Sequence, residues 1–298
     1  MCGIVGLFLK DKSLELTLGE MLTQMLITMS DRGPDSAGIA IYKNPKNVFT
    51  KITVQSSQPQ IDFENIKIEL DNLFYQNLEI MIIDTHAIIT IETKYLNNIK
   101  EILATSFPNL RIMSIGDSIE IYKEVGLPET VANRFDISKM SGSHGIGHTR
   151  MATESAVTTM GAHPFSTGND QCLVHNGSLS NHNSLRRKLR KEGIECETDN
   201  DTEVAAAFLT YKMNEGYNLG DALKAGITEL DGFYTFLVGT KNGFGVLRDP
   251  IACKPAVLAE TEQYVAFGSE YRALVNLPNI DSAKVWEPEP ATVYFWEH

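Results

Sequence analysis

The apolar positions of this chain change period several times, and each change marks an element. Cys2-Gly3-Ile4-Val5-Gly6-Leu7-Phe8 is a short, nearly continuous apolar run, which predicts a strand. Leu18, Met21, Leu22, Met25, Leu26 and Met29 then recur at helical spacing. The helix they predict ends before Asp31-Arg32-Gly33-Pro34-Asp35, a loop by composition. Residues 38–42 read as a second strand. From about 44 to 141 the texture shifts toward Ile, Asn and Lys. There the pattern predicts a helix over Phe63, Ile66, Leu70, Leu73 and Phe74, then a strand over 80–91. A helix carrying Leu96, Ile99, Leu103 and Phe107 follows, then a hairpin over 112–122 that turns at Gly116-Asp117. This stretch reads as a small inserted α/β subdomain without a catalytic constellation. From Gly145 onward short strands dominate, with glycine at the turns. A helix over 201–213 and another carrying Ala222, Leu223, Ile227 and Leu230 interrupt them. Strands are expected at 233–238, 244–247, 255–258, 264–267 and 292–295. Two helical groups flanking many antiparallel strands indicate an α+β sandwich.

Composition narrows the functional classes. With 43% hydrophobic and 21% charged residues, 298 residues suffice for a sizeable core. The formal net charge of -12 argues against a nucleic-acid surface, which needs clustered Lys and Arg. The one basic run, Arg186 to Lys191, is interleaved with Leu185 and Leu189 and reads as the solvated face of a helix. Cys2, Cys172, Cys196 and Cys253 form no CxxC pair, so neither a zinc knuckle nor a redox motif is indicated, and their scatter suits a reducing cytoplasm. No signal peptide is read at the start. The most apolar stretch, 80–91, contains Asp84 and His86 and is too short to span a bilayer. The expectation is a cytoplasmic protein that binds no nucleic acid, membrane, metal or cofactor.

Five short segments are candidates for chemistry, each with a plainer reading beside it. Cys2 follows the initiator Met. If Met1 is removed, Cys2 carries a free α-amine of pKa about 7.7–8.0 next to a thiol of about 8.5, so one residue supplies nucleophile and base. Taken alone, it also fits a small core residue. His175-Asn176-Gly177 ends an apolar run: Asn-Gly there is a hairpin turn, or else the Asn176 amide and Gly177 N–H are two donors for an oxyanion. Arg150, in Gly147-His148-Thr149-Arg150, offers a fork for a carboxylate or a surface ion pair. Asp201-Thr202-Glu203 opens a helix, where Asn200 or Asp201 caps it or Asp201 holds a substrate ammonium. His144 and His148 are four apart, but the segment is glycine-rich and strand-like, so the spacing does not set them on one face; both are read as structural.

The order of the pieces is more specific than any one. Cys2-Gly3-Ile4, Arg32-Gly33-Pro34-Asp35, Gly147-His148-Thr149-Arg150, His175-Asn176-Gly177 and Asp201-Thr202-Glu203 occur in sequence, followed by Arg248-Asp249-Pro250, Lys254-Pro255 and Ser269-Glu270. Over residues 1–43 and about 142–275 this resembles the class II glutamine amidotransferases. The resemblance implies a four-layer αββα N-terminal-nucleophile (Ntn) hydrolase sandwich over residues 1–298, with 44–141 as the inserted subdomain. It implies Cys2 as nucleophile and its α-amine as proton carrier. It further implies Asn176 and Gly177 as the oxyanion hole, Arg150 on the glutamine α-carboxylate, Asp201 on its α-amine, and Arg32, in a loop near the nucleophile, as a further substrate-binding residue. The chain departs from the common pattern at Met151, where many members have Trp, and at Phe165, where many have a second His. No synthase domain is read after the glutaminase pattern. The expected activity is therefore hydrolysis of L-glutamine to glutamate and ammonia via a thioester. The ammonia is expected to pass to a separate synthase subunit in a hetero-oligomer of the glutamate synthase or N-methylglutamate synthase type. Alternatives are a non-catalytic glutamine-sensing or assembly subunit, and an Ntn amidase acting on another γ-glutamyl compound.

Overall fold

In the computed structural model, which describes residues 2–45, 48–74, 78–152 and 156–298, the first strand sets the architecture. Strand β1 (Gly3–Leu9) is buried at every position. Ile4 and Phe8 enter a core between two sheets, whereas Val5, Leu7 and Leu9 enter a second core on the other face. A strand covered on both sides must be apolar throughout, which is why this segment reads as a run rather than an alternation.

The other strands are β2 (Ser36–Tyr42), β3 (Phe49–Gln55), β4 (Leu78–Ile83), β5 (His86–Glu92), β6 (Arg111–Gly116), β7 (Ile119–Val125), β8 (His144–Arg150), β9 (Phe165–Gly168), β10 (Gln171–Leu179), β11 (Gly232–Thr240), β12 (Gly243–Arg248), β13 (Val257–Glu260), β14 (Tyr264–Gly268), β15 (Lys284–Trp286) and β16 (Val293–Glu297). The helices are α1 (Leu18–Thr28), α2 (Pro59–Phe74), α3 (Leu96–Ser106), α4 (Pro128–Arg134), α5 (His182–Lys191), α6 (Asp201–Asn214) and α7 (Leu219–Glu229). A seven-stranded sheet runs β15-β13-β14-β1-β8-β2-β7, and a five-stranded sheet runs β16-β12-β11-β10-β9. Every strand pairing in both is antiparallel.

The two sheets meet through Ile4, Phe8, Tyr42, Val174, Leu237, Phe244 and Phe267, among others. Each fully buried Ile or Phe there contributes about 1.5–3 kcal/mol. Helices α1 and α4 cover the outer face of the larger sheet, and α5, α6 and α7 cover the outer face of the smaller one. The layers are therefore αββα. Leu185 and Leu189 of α5 are buried while its basic residues line the other side, as the amphipathic reading of that run requires.

Within residues 44–141, β4-β5-β3-β6 form a separate four-stranded sheet whose core includes Phe63, Ile66, Leu70, Ile99 and Leu103 from α2 and α3. Two sequence readings change here. Residues 80–91 are not one strand. They are parts of β4 and β5, joined by a turn with Asp84 at φ 53, a left-handed conformation that a short polar side chain tolerates. The hairpin over 112–122 does not form either. β6 stays in the small sheet, while β7 pairs with β2 in the seven-stranded sheet. Asp170 supplies the reason: its carboxylate accepts the N–H groups of Asp117, Ser118 and Ile119 at 2.9, 2.8 and 3.0 Å. That clamp carries the chain from one sheet to the other. On α2, Leu73 faces solvent at 53% exposure rather than the core.

Candidate active site

Cys2 lies half-buried just ahead of β1, where two distant segments meet its carbonyl oxygen. The Arg32 Nε donates to the Cys2 carbonyl at 2.9 Å, and the Asn176 Nδ2 donates to the same oxygen at 3.2 Å. Arg32 Nη1 pairs with Glu270 Oε1 at 2.5 Å, and that guanidinium holds the Glu270 carboxyl below its ordinary range. Arg32 is itself buried, and its Nη2 has no partner among the described residues. Ser269 exchanges two bonds with Ile4, accepting its N–H on Oγ and donating its own N–H to the Ile4 carbonyl, both at 2.9 Å. Ser269-Glu270 thus brace the first residues of β1. The motif was visible in the sequence; the bracing was not, because 238 residues separate Arg32 from Glu270.

Registers place the remaining candidates. Gly3 is opposite Thr149, so the next residue of β8, Arg150, lies abreast of Cys2. Arg150 is buried, with Nη1 3.3 Å from the Ala156 carbonyl. The loop of Gly33 packs against this strand end: a Cβ on Gly33 would stand 2.3 Å from the Thr149 carbonyl carbon, so only glycine fits. Asp35 closes the corner, accepting the Ala152 N–H at 2.8 Å. On β10, Asn176 and Gly177 pair with Thr235 and Tyr234 of β11, so the Asn-Gly step continues the strand instead of turning it. Gly177 has φ +148, and a Cβ there would stand 1.9 Å from the Phe233 carbonyl oxygen. Met1, whose removal the nucleophile reading needs, lies outside the described residues.

At the start of α6 the capping alternatives separate. Asn200 Oδ1 accepts the Thr202 N–H at 2.8 Å and is the cap. Asp201 is left to accept the Leu179 N–H on Oδ2 at 2.9 Å, two residues beyond Gly177. Its Oδ1 is 3.7 Å from His175 Nδ1. Three buried histidines, 148, 163 and 175, gather at β10, the last of them on the strand itself, with the first two rings stacked at 4.0 Å. Burial lowers the pKa of all three, His148 to about 3. His144 and His148 do share a face, since alternate positions of a strand do: they reach the carbonyls of Thr240 and His175 on the second sheet, at 2.8 and 3.0 Å. Four residues of strand hold them about 13 Å apart, too far for one ion. Among the described residues no group of three His, Cys, Asp or Glu side chains is placed to hold a metal.

The other thiols are less suited to attack. Burial pushes Cys172 up to about 12 and Cys196 up to about 11, whereas Cys253 is exposed. Two cavities, of about 340 and 450 Å³, flank the small sheet, and neither is lined by Cys2, Arg150, Asn176 or Asp201.

The four-layer αββα sandwich is the Ntn-hydrolase fold, and residues 136–295 match the glutamine amidotransferase domain family. The chain belongs to that family, as a class II glutamine amidotransferase domain. It is 64% identical over 298 residues to the glutamine amidotransferase-like protein GlxB of Rhizobium meliloti (strain 1021), covering 100% of this chain and 99% of that one. Amidophosphoribosyltransferase of Methanocaldococcus jannaschii is 30% identical over 183 residues, which are 60% of this chain and 38% of that protein. The solved glutamine phosphoribosylpyrophosphate amidotransferase of B. subtilis shares the fold, with a TM-score of 0.63 at 20% identity over 99% of this chain. This chain spans 47% of that one. Among the described residues no helix is long and apolar enough to cross a membrane.

Proposed function

We propose that the chain hydrolyses the side-chain amide of L-glutamine with the Cys2 thiol and delivers the ammonia to a separate synthase subunit. The observation that carries this reading is the convergence of Arg32 and Asn176 on the Cys2 carbonyl, with Arg150 abreast in register. The Cys2 thiolate attacks the amide carbon, and the C=O pair moves onto oxygen. The second N–H of the Asn176 amide and the Gly177 N–H are the donors assigned to that oxyanion. As the tetrahedral centre collapses, the C–N bond breaks and the α-ammonium of Cys2 supplies the proton with which ammonia leaves. Water then adds to the γ-glutamyl thioester, releasing glutamate and the thiol. Arg150 is assigned to the substrate α-carboxylate, Asp201 to its α-ammonium, and Arg32 to holding the Cys2 backbone in place. The part of the 44–141 segment that forms the separate β4-β5-β3-β6 sheet, without chemistry of its own, is assigned to docking the synthase, in a cytoplasmic hetero-oligomer of the glutamate synthase or N-methylglutamate synthase type; β7 and α4 belong to the sandwich itself.

The test is glutaminase activity of protein whose N-terminus is sequenced. Processed protein beginning at Cys2 is expected to release glutamate, and Cys2→Ala to release none while keeping its melting temperature. Activity of the isolated chain is expected to be weak and to rise with the synthase subunit present. Turnover by Cys2→Ala, or by protein that retains Met1, removes the nucleophile assignment. Glutamine binding without hydrolysis, alone or in complex, points to the sensor instead.

A further inference from the structure

We infer that Thr202 is a positioning residue for Asp201, its hydroxyl the junction at which two buried imidazoles fix that carboxylate. This rests on the reading of Asp201 as the group that receives the substrate ammonium. The hydrogen-bond directions are forced one after another. The His175 N–H donates to His163 Nδ1 at 3.4 Å, so that nitrogen is bare. Burial keeps the His163 ring neutral, so its proton is on Nε2, which is 3.3 Å from Thr202 Oγ1 and donates to it. His175 Nδ1 is 3.0 Å from the same hydroxyl and 3.7 Å from Asp201 Oδ1. A bare lone pair facing the carboxylate would be repelled, so Nδ1 carries the proton of this neutral ring and also donates to Thr202. With both rings donating, the one hydroxyl proton of Thr202 is left to point at Asp201 Oδ1, 3.5 Å away. That contact and the His175 contact are long, and they orient Oδ1 electrostatically while the Leu179 N–H anchors Oδ2 at 2.9 Å. Asn200 has taken over the helix cap, so neither oxygen of Asp201 is diverted to it.

A methyl group in place of the hydroxyl leaves two imidazole N–H groups facing a hydrocarbon and Oδ1 without its nearest donor. The readout is the ratio of kcat/KM for glutamine to that for the same amide lacking the α-amino group, measured for wild type, Thr202→Val, Thr202→Ala, Thr202→Ser and Asp201→Asn. Melting curves check the fold of each, and Thr202→Ala serves if the valine variant does not fold. The expected result is that Asp201→Asn abolishes the preference for glutamine. Thr202→Val and Thr202→Ala should reduce it roughly three- to tenfold, the span of an ordinary hydrogen bond since the contact is long, chiefly through KM, and Thr202→Ser should restore it. If Asp201→Asn loses the preference while both hydroxyl-less variants keep it, or lower both substrates equally, the role of Thr202 is overturned alone. If Asp201→Asn discriminates as wild type does, the reading of Asp201 falls and the role of Thr202 with it.

Discussion

The buried histidines make the fold acid-labile above the range where carboxylates titrate. His86, His144 and His148 are each held neutral by burial, with pKa lowered to about 3. Unfolded, they take up a proton near about 6.5. Below that pH the unfolded chain binds protons that the folded chain refuses. Their stabilisation is therefore full above about pH 6.5 and lost progressively as pH falls toward 3. At pH 5 the gap to the unfolded value is about 1.5 units, or about 2 kcal/mol for each ring and about 6 kcal/mol for the three. Burial shifts His163 and His175 in the same direction. A domain is commonly stable by only about 5–15 kcal/mol, so pH 5 should bring this one close to unfolding. Urea unfolding followed by circular dichroism from pH 7.5 to 5 measures the slope. His144→Gln isolates one ring: the amide can still donate to the Thr240 carbonyl, which His144 Nε2 reaches at 2.8 Å, but it does not titrate. The variant should lose stability less steeply by about 1.4 kcal/mol per pH unit, one proton's worth. Stability that is flat from pH 7 to 5 in wild type, or an unchanged slope in His144→Gln, would refute the reasoning.

Two further substitutions probe how the strands are held. Gly177→Ala places a Cβ 1.9 Å from the Phe233 oxygen at φ +148, so β10 and β11 must part there. A loss of at least about 1–3 kcal/mol in chemical denaturation is expected, with glutaminase activity falling further than stability because the Gly177 N–H moves; a change within about 0.5 kcal/mol would contradict the close approach. Asp170→Ala strips the acceptor from the N–H groups of residues 117–119. Those three amides should exchange with solvent far faster, and stability should fall by about 1–3 kcal/mol for each left unsatisfied; unchanged protection would mean the turn is held by something else.

What could be read in the sequence was whatever depends on neighbours a few residues away. Helix α1 was legible because Leu18, Met21, Leu22, Met25 and Leu26 meet one core, and a helical period records that directly. Strand β1 was legible because it is buried on both faces. Asp201 was a legible candidate, though whether it or Asn200 capped α6 stayed open until the fold placed Leu179 beside it. Tertiary structure alone decided the rest. An apolar stretch from 80 to 91 has the same period whether it runs straight or folds back at Asp84, and only pairing β4 with β5 and β5 with β3 distinguishes the two. β6 and β7 look like a hairpin until Asp170, more than fifty residues on, binds the turn between them. The junction of His163, His175 and Thr202 had no signature at all: none of the three lies within a turn of another along the chain, and β10 packing against α6, with the segment just ahead of β9 beside them, is what brings their polar atoms within 3.0–3.4 Å. Periodicity reports which side of an element is buried; it carries no record of what lies across the interface, and most of the contacts that orient the candidate site are of that kind.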